Sequence, residues 1–469
     1  MNDELAAKDA IIAAQAEQIT TLVALVARLE ERIVELEAQL GQNSKNSSKP
    51  PSSDGYASPT RQQQRGARRK VGKQKGDPGT HLAQVDSPDE VVVHSPTNCS
   101  SCSGDLSSAP VVDIEARQVF DIPPMAVAVT EHQAESRCCG CGATTTAAFP
   151  CGVDAPALYG PRLRALAVYF IVFQHVPYDR TRQIFSDVLG VDLSAGTIFE
   201  SVQDAAADLD DFLQVLRKAI RNQEVVHFDE TGARVAGKLH WVHSASTFWL
   251  TYYFVHAKRG KVAMDEGEIL TAFDGVAVHD GWKPYRRYDN IAHGLCNAHH
   301  LRELNAAGVV WDQEWANKMI ALLVEIKAMV QTATEAGKTE LDATTLHGIR
   351  CRYGRLISQG HKVNPRRSRR KQTKTFNLLK RLDEQREDVL RFATDFRVPF
   401  DNNQAERDIR MVKLQQKISG CWRTFKGATS YLCVRSYIST ARKQGQNPLD
   451  VLVQLFEGDV WMPAASPTC

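Results

Sequence analysis

The sequence lacks the features that mark membrane and secreted proteins. None of its apolar runs approaches the length that a bilayer-spanning helix needs. The chain starts Met-Asn-Asp-Glu, without the basic residues and apolar run of a secretory signal. A cytoplasmic protein with no membrane partner is therefore expected.

The chain also lacks a strong excess of charge, since its formal net charge is only +2. That value alone argues weakly against a nucleic-acid partner, but two blocks at 61–75 and 362–374 are each rich in basic residues and contain no acidic residue. A phosphate backbone meets local blocks of charge, so DNA is the expected partner. The alternative is two solvated loops. The residues expected to contact DNA are Arg61, Arg65, Arg68, Arg69, Lys70, Arg366, Arg367, Arg369, Arg370 and Lys371.

Cysteine is sparse except in one segment, which holds five of the eleven cysteines. A disulfide framework is unusual in a long cytosolic chain, so this segment predicts a metal site. The pairs Cys99/Cys102 and Cys138/Cys141 each have Cys-x-x-Cys spacing and together supply the four thiolates of a closed, structural Zn²⁺ site. Cys139 is then a spare, and reduced buried cysteines are the alternative. The predicted zinc-binding domain is 89–152, with short strands expected around the cysteines, for example at 115–122 and 126–130.

The first forty residues carry a heptad repeat. Position a is apolar throughout and position d is leucine in the later heptads, a pattern typical of a parallel two-stranded coiled coil. The repeat predicts a leucine-zipper coiled coil over 1–42 and a homodimer or higher oligomer, against the alternative of a helix packed on its own protein. Residues 43–88 are polar and rich in Ser, Asn, Pro and Gly, which predicts a flexible basic linker. The a positions are Leu5, Ile12, Ile19, Val26, Ile33 and Leu40, and the later d positions are Leu22, Leu29 and Leu36.

Residues 153–222 are helical in pattern. One amphipathic helix is predicted from Tyr178 to Leu189, followed by a tight turn at Gly190 and a second helix capped by Ser194. This outline fits a DNA-binding helix-turn-helix and equally an ordinary helical hairpin, and both interpretations stay open.

From residue 223 the pattern changes to strands. Short apolar runs end at Asp229 and Asp280; between them lie two further strands and a helix at 265–273. A fifth strand and a helix beginning near Ala298 follow. This order predicts an α/β ribonuclease-H-like core, in which the first and fourth strands are neighbours and Asp229 lies beside Asp280.

A third acid is expected from a helix near those strand ends. Glu406 fits, because Asp401 can cap its helix and a buried stripe of Ala405, Ile409 and Val412 would aim it. Three carboxylates supply the oxygen ligands that two Mg²⁺ (or Mn²⁺) ions prefer, and such ions activate water or a 3′-hydroxyl at phosphorus. The three acids are therefore predicted to be catalytic.

The motifs resemble those of the DDE transposases of bacterial insertion sequences, within them the insertion-sequence sixty-six family. The resemblance covers nearly the whole chain in order, through the zipper, the Ser/Asn/Pro segment at 43–54 and the paired cysteines. It continues through His227-Phe-Asp229-Glu-Thr-Gly232, His279-Asp280-Gly-Trp282, Cys296-Asn-Ala-His299-His-Leu-Arg302 and Asn402-Asn-Gln-Ala-Glu406-Arg-Asp-Ile-Arg410. It implies that the three acids catalyse metal-dependent DNA cleavage at element ends and strand transfer into target DNA, in a nucleoid-associated protein that small accessory proteins of the element assist.

The predicted architecture is therefore multidomain. The catalytic core spans 223–310 and 396–450, a helical insertion with the second basic block spans 311–395, and 451–469 is a C-terminal tail. Cys296 and His299 could suggest a second metal site, but packing is as good an explanation and neither is assigned as a ligand. A DNA-binding regulator without catalysis is one alternative function, although it leaves the acids without a role. Another ribonuclease-H-like nuclease is the second, although it leaves the zipper and the basic insertion unexplained.

Overall fold

The computed structural model describes residues 15–26, 28–30, 33, 82–123, 125–150, 152–368 and 371–464. The described residues between 15 and 33 are helical and exposed, including the heptad positions Ile19, Leu22, Val26, Leu29 and Ile33. The remaining heptad positions and almost all of the linker lie outside the described residues. Within the described part of the chain, no helix has both the length and the apolar content to cross a bilayer.

The cysteine-rich segment is open and little packed. Its strands are β1, Ser136–Cys138, and β2, Thr144–Thr146, which pair antiparallel. The short strands predicted at 115–122 and 126–130 are wrong, because these residues form no strand and all but the half-buried Gln118 are exposed. The segment therefore has no hydrophobic core of its own among its described residues.

Four helices follow and confirm the helical pattern predicted for 153–222. The second, α2, ends where Gly190 adopts φ +65°, and the third begins where the Ser194 hydroxyl accepts the Thr197 amide, as expected. One π-helical turn, Tyr169–Phe173, continues the first helix. The helices are α1, Pro161–Val168; α2, Tyr178–Leu189; α3, Ala195–Ala207; and α4, Asp210–Arg221.

A five-stranded sheet forms the centre of the molecule, with strand order β5-β4-β3-β6-β7. A two-residue turn joins β3 to β4 through Ala236 and Gly237, both at positive φ, as tight hairpins require. The first three strands are antiparallel, and β6 and β7 run parallel to β3. The prediction that the first and fourth strands are neighbours is therefore confirmed. The strands are β3, Val225–Val235; β4, Lys238–Ser246; β5, Thr251–His256; β6, Val276–His279; and β7, Ala292–Leu295.

The helix predicted at 265–273 is wrong in extent. A short helix, α5, covers Lys261–Glu266, and only one 3₁₀ turn, Leu270–Ala272, follows it. Glu268 has φ +57°, which ends the helix. At Gly267 an added Cβ would lie 2.5 Å from the Phe254 ring, so the chain here follows the packing on β5 rather than its helical pattern.

The insertion forms a helical body with its own hydrophobic core. Its buried side chains include Trp315, Met319, Tyr353 and Leu379. It enters through α6, Asn297–Val310, which begins within one residue of the predicted start. Four more helices complete it: α7, Glu314–Glu335; α8, Ala343–Val363; α9, Lys374–Glu384; and α10, Arg386–Thr394.

Three C-terminal helices return the chain to the sheet: α11, Asn403–Ser419; α12, Phe425–Lys443; and α13, Pro448–Phe456. α12 is buried along most of its length and packs on β5 and α3, while α13 packs on α1. The sheet, α1–α4 and these helices share one hydrophobic core, so the predicted boundaries at residues 222 and 450 separate elements that pack together.

Candidate active site

Asp229 lies inside β3 rather than at its end, where the sequence pattern placed it. The parallel pairing with β6 stops at His227, but the antiparallel pairing with β4 continues and sets Asp229 opposite Ser244. β3 is longer than its apolar run because its second half pairs with β4 alone. Asp229 therefore stands where β3 leaves β6.

Asp280 follows β6 directly, as predicted. Its Oδ1 accepts the Trp282 amide at 2.8 Å, and Gly281 between them has φ +87°, a left-handed conformation that glycine adopts without strain. The carboxylate is thereby held at the point where β6 ends.

Glu406 lies in the first turn of α11. Ala405, Ile409 and Val412 are buried as predicted, and they fix the rotation of the helix. The N-cap of the helix is Asn402 rather than the predicted Asp401, which lies one residue earlier and accepts the Asn403 amide at 3.1 Å. The stripe turns Glu406 toward the sheet.

The three acids lie near enough to one another for their charges to interact. Burial raises the pKa of Asp229 well above its usual range, and the negative charges of Glu230, Asp280 and Glu406 raise it further. Burial also raises the pKa of Glu406, with Asp280 adding to the rise. Because like charges are costly at such a place, the cluster favours a cation or protons.

Two cationic side chains of α6 and α11 border the cluster. The Arg302 guanidinium lies 3.6 Å from Glu406 Oε1 and lowers the pKa of Glu406, partly opposing burial. Lys413 is half-buried, and burial lowers the pKa of its ammonium group, although the charge of Asp229 partly opposes this. The site therefore combines carboxylates with positive charges that could meet phosphate.

A fourth acid, Glu230, was missed in the sequence. Its side chain is buried, accepts the Tyr285 hydroxyl and pairs with Arg259 at 3.1 Å. Burial first, and then the charge of Asp280, raise its pKa to about 7. The Arg259 guanidinium lies 3.9 Å from the ring centre of Trp282, a cation–π contact. An acid directly after Asp229 was the only sequence signal, since Tyr285 and Arg259 come from distant segments.

Asn402 was also missed, although it connects the elements that carry the acids. Its Nδ2 donates to the Phe228 carbonyl at 2.8 Å, and its Oδ1 lies 2.7 Å from His227 Nδ1. Its backbone amide donates to Cys296 Sγ at 3.2 Å. Asn402 is 2% exposed. It thus ties the start of α11 both to β3 and to the start of α6.

The predicted zinc ligands are described, and they lie in two separate turns. Hydrogen bonds from Cys102 lower the pKa of the Cys99 thiol, and hydrogen bonds from Cys141 lower that of the Cys139 thiol. The second of these turns is tight, since the Gly142 amide donates to the Cys139 carbonyl at 2.8 Å. Among the residues that the structure describes, the one group close enough to share a metal ion is Cys296, His299 and Glu406.

The structure describes only some of the residues predicted to contact DNA. Arg366, Arg367 and Lys371 are exposed on the connection between α8 and α9. Arg369 and Arg370, like Arg61, Arg65, Arg68, Arg69 and Lys70, lie outside the described residues.

Comparison with known families gives two matches. A model described as the Transposase IS66 family matches residues 156–430, which include α1–α11 and all three acids. A second, described as a family of unknown function (DUF6444), matches residues 3–83. No curated protein matches the chain.

Proposed function

This chain belongs to the IS66 family of transposases, and we propose that Asp229, Asp280 and Glu406 are its catalytic acids. They would cut DNA at the ends of the element and join those ends to target DNA. The proposal rests on how the three carboxylates converge. Asp229 lies in β3, Asp280 directly follows the parallel neighbour β6, and Glu406 comes from α11, 126 positions after Asp280. The charges of Asp280 and Glu406 add to the effect of burial in raising the pKa of Asp229.

The strand order supports a ribonuclease-H-like core. Three antiparallel strands followed by two parallel ones, with β6 beside β3, is the arrangement that the proposed fold requires. The point where β3 and β6 separate is then a suitable place for metal-binding acids, because a crevice opens at the ends of the strands there.

The residues fit two Mg²⁺ or Mn²⁺ ions. Glu406 Oε1 is buried and has no hydrogen-bond partner, and burial together with the neighbouring carboxylates raises the pKa of Asp229 and of Glu406. Oxygen ligands of this kind suit hard divalent cations, and the acids would close further around them on binding. When bound, such ions activate the attacking oxygen and neutralise charge that develops at phosphorus.

The remaining side chains hold the acids in place. The Glu230 carboxylate accepts hydrogen bonds from Tyr285 and Arg259. We therefore assign it a supporting role beside Asp229 and not that of a metal ligand. Arg302 steers Glu406 and, with Lys413, supplies positive charge at the edge of the cluster. These cations would draw a DNA phosphate toward the acids.

Asp280→Asn tests the assignment. The change keeps the size of the side chain and its acceptor for Trp282, so folding and DNA binding should survive while Mg²⁺-dependent cleavage and joining fall at least a hundredfold. Asp274→Asn is the matched control, because Asp274 is exposed at the opposite end of β6.

The readout is cleavage and strand transfer with DNA that carries the element ends. An Asp280→Asn protein that joins ends at the wild-type rate would refute the assignment. Wild-type protein that cuts without joining would indicate another nuclease. Binding without either reaction would indicate a regulator.

The other predicted parts support DNA handling. The exposed residues Arg366, Arg367 and Lys371 suit phosphate contacts, together with the basic segment at 61–75. The helices α2 and α3 are the proposed helix-turn-helix reader. The exposed N-terminal helix is the proposed coiled coil, and Cys99, Cys102 and Cys141, with Cys138 or Cys139, are the proposed structural Zn²⁺ ligands.

A further inference from the structure

We propose that Cys296, His299 and Glu406 bind a single divalent transition-metal ion of the Zn²⁺ class. Their ligand atoms all lie within 4.8 Å of one another, and His299 Nδ1 is 3.6 Å from Glu406 Oε1. Tetrahedral Zn²⁺ with bonds of 2.0–2.3 Å holds its ligands about 3.5 Å apart, so small side-chain shifts complete the site. The binding goes beyond the proposed catalysis, whereas its effect on DNA cutting rests on that proposal.

Two of the three ligand atoms are buried without a hydrogen bond. His299 Nδ1 and Glu406 Oε1 are both shielded from solvent and neither has a hydrogen bond. Buried polar atoms are rarely left so, because losing water without a replacement costs about 1–3 kcal/mol each. A shared ion would satisfy both atoms at once.

Burial raises the pKa of the Cys296 thiol to about 12, so an ion must displace the thiol proton when it binds, and the contacts around the sulfur oppose burial only in part. The sulfur stands at the N-cap of α6, where the helix dipole stabilises negative charge, and it accepts the Asn402 amide at 3.2 Å. Cys296 is 1% exposed. Amide donors aimed at sulfur are the outer contacts that orient a metal-bound cysteine.

The spacing explains how the ligands meet. Cys296 and His299 are three positions apart at the start of one helix, so they share a face of its first turn. Glu406 comes from the first turn of α11, and Asn402 fixes the start of that helix against Cys296. Two helix beginnings therefore present sulfur, nitrogen and oxygen to one point.

The ligand set identifies the class of ion. A thiolate with an imidazole and one carboxylate suits Zn²⁺ or Co²⁺, whereas Mg²⁺ prefers oxygen alone. An ion here displaces Arg302, which lies 3.6 Å from the same Glu406 oxygen. It also takes Glu406 from the Mg²⁺ ligands, so Zn²⁺ should inhibit DNA cutting.

The test is a Co²⁺ titration of the full chain, followed by the near-ultraviolet absorption of the cobalt–thiolate bond. A Cys102→Ser/Cys141→Ser background removes the other proposed metal site. That protein should bind one Co²⁺ with a thiolate band, and adding Cys296→Ser should abolish the band and weaken Co²⁺ affinity roughly tenfold or more. Cys421→Ser, at an exposed cysteine, is the matched control and should change neither.

Two further variants secure the result. His299→Gln should keep the band and weaken affinity by a similar factor, and Arg302→Gln should strengthen affinity because it removes the competing cation. A band and an affinity that neither Cys296→Ser nor His299→Gln changes would overturn the proposal. Asp280→Asn separates the two proposals, because it should abolish cleavage and leave the Co²⁺ band intact.

Discussion

At the scale of single residues, His175 joins the N-terminal helices to the C-terminal ones. Its Nδ1 lies 2.7 Å from the Tyr431 hydroxyl, and its carbonyl accepts the Ser419 hydroxyl at 2.6 Å. It is 2% exposed, and burial, with a smaller effect from the charge of Arg435, lowers its pKa to about 4. The buried imidazole therefore stays neutral across the range in which a free histidine titrates.

This burial predicts sensitivity to acid. Between about pH 6.5 and 4 the unfolded chain takes up a proton at His175 that the folded chain does not, so the free energy of unfolding falls as the pH falls. From pH 7 to pH 5 the His175 contribution should be roughly 1–2 kcal/mol. His175→Asn, which tolerates the local φ of +59°, should remove that part of the slope in urea unfolding.

The control is His132→Asn, at an exposed histidine, which should leave the slope unchanged. Equal slopes for the wild type and His175→Asn would show that His175 does not make the protein acid-sensitive.

At the scale of elements, Asn402 is the contact that sets α11 against β3. Asn402→Ala leaves the Phe228 carbonyl and His227 Nδ1 without their partner, which should cost about 1–3 kcal/mol of unfolding free energy. The helix start then loosens, so cleavage should need more Mg²⁺ for half-maximal rate. Urea unfolding and a Mg²⁺ titration of cleavage measure the two effects.

The neighbouring Asn403→Ala is the control, because that side chain is exposed and its backbone contact with Asp401 remains. If Asn402→Ala matches it in both stability and Mg²⁺ requirement, Asn402 does not position Glu406.

Some elements of the fold could be predicted from the sequence and others could not. Apolar runs predicted β3 and β6 because both are buried against neighbours, and the stripe through Ala405 and Ile409 predicted the face of α11. The strands expected at 115–122 and 126–130 are wrong among the described residues, because alternation shows where a strand could form and not whether a partner exists. The contacts of Asn402 and Glu230 could not be predicted, since each joins residues far apart in the chain.

At the scale of the whole molecule, the exposed N-terminal helix predicts self-association. Its described heptad positions are open to solvent, with Leu22 59% and Leu29 54% exposed. Leu22→Asp/Leu29→Asp should shift the mass in light scattering from dimer or higher oligomer toward monomer, as should deletion of residues 1–42.

Ala24→Asp is the control, because it adds charge to the same helix away from the a and d positions. A mass that the leucine variants leave unchanged would show that the helix does not hold the chains together.

The position of Glu406 has a consequence for the order of synthesis. At about 5–20 residues per second, Glu406 leaves the ribosome roughly 6–25 s after Asp280, and the α12 cover of β5 follows later still. A chain that stops within the insertion carries two acids without the third. Provided that the N-terminal helices pair as proposed, such a fragment would assemble with complete chains and make the mixed oligomers inactive. A truncated copy of the gene would therefore act as a dominant inhibitor of the intact one.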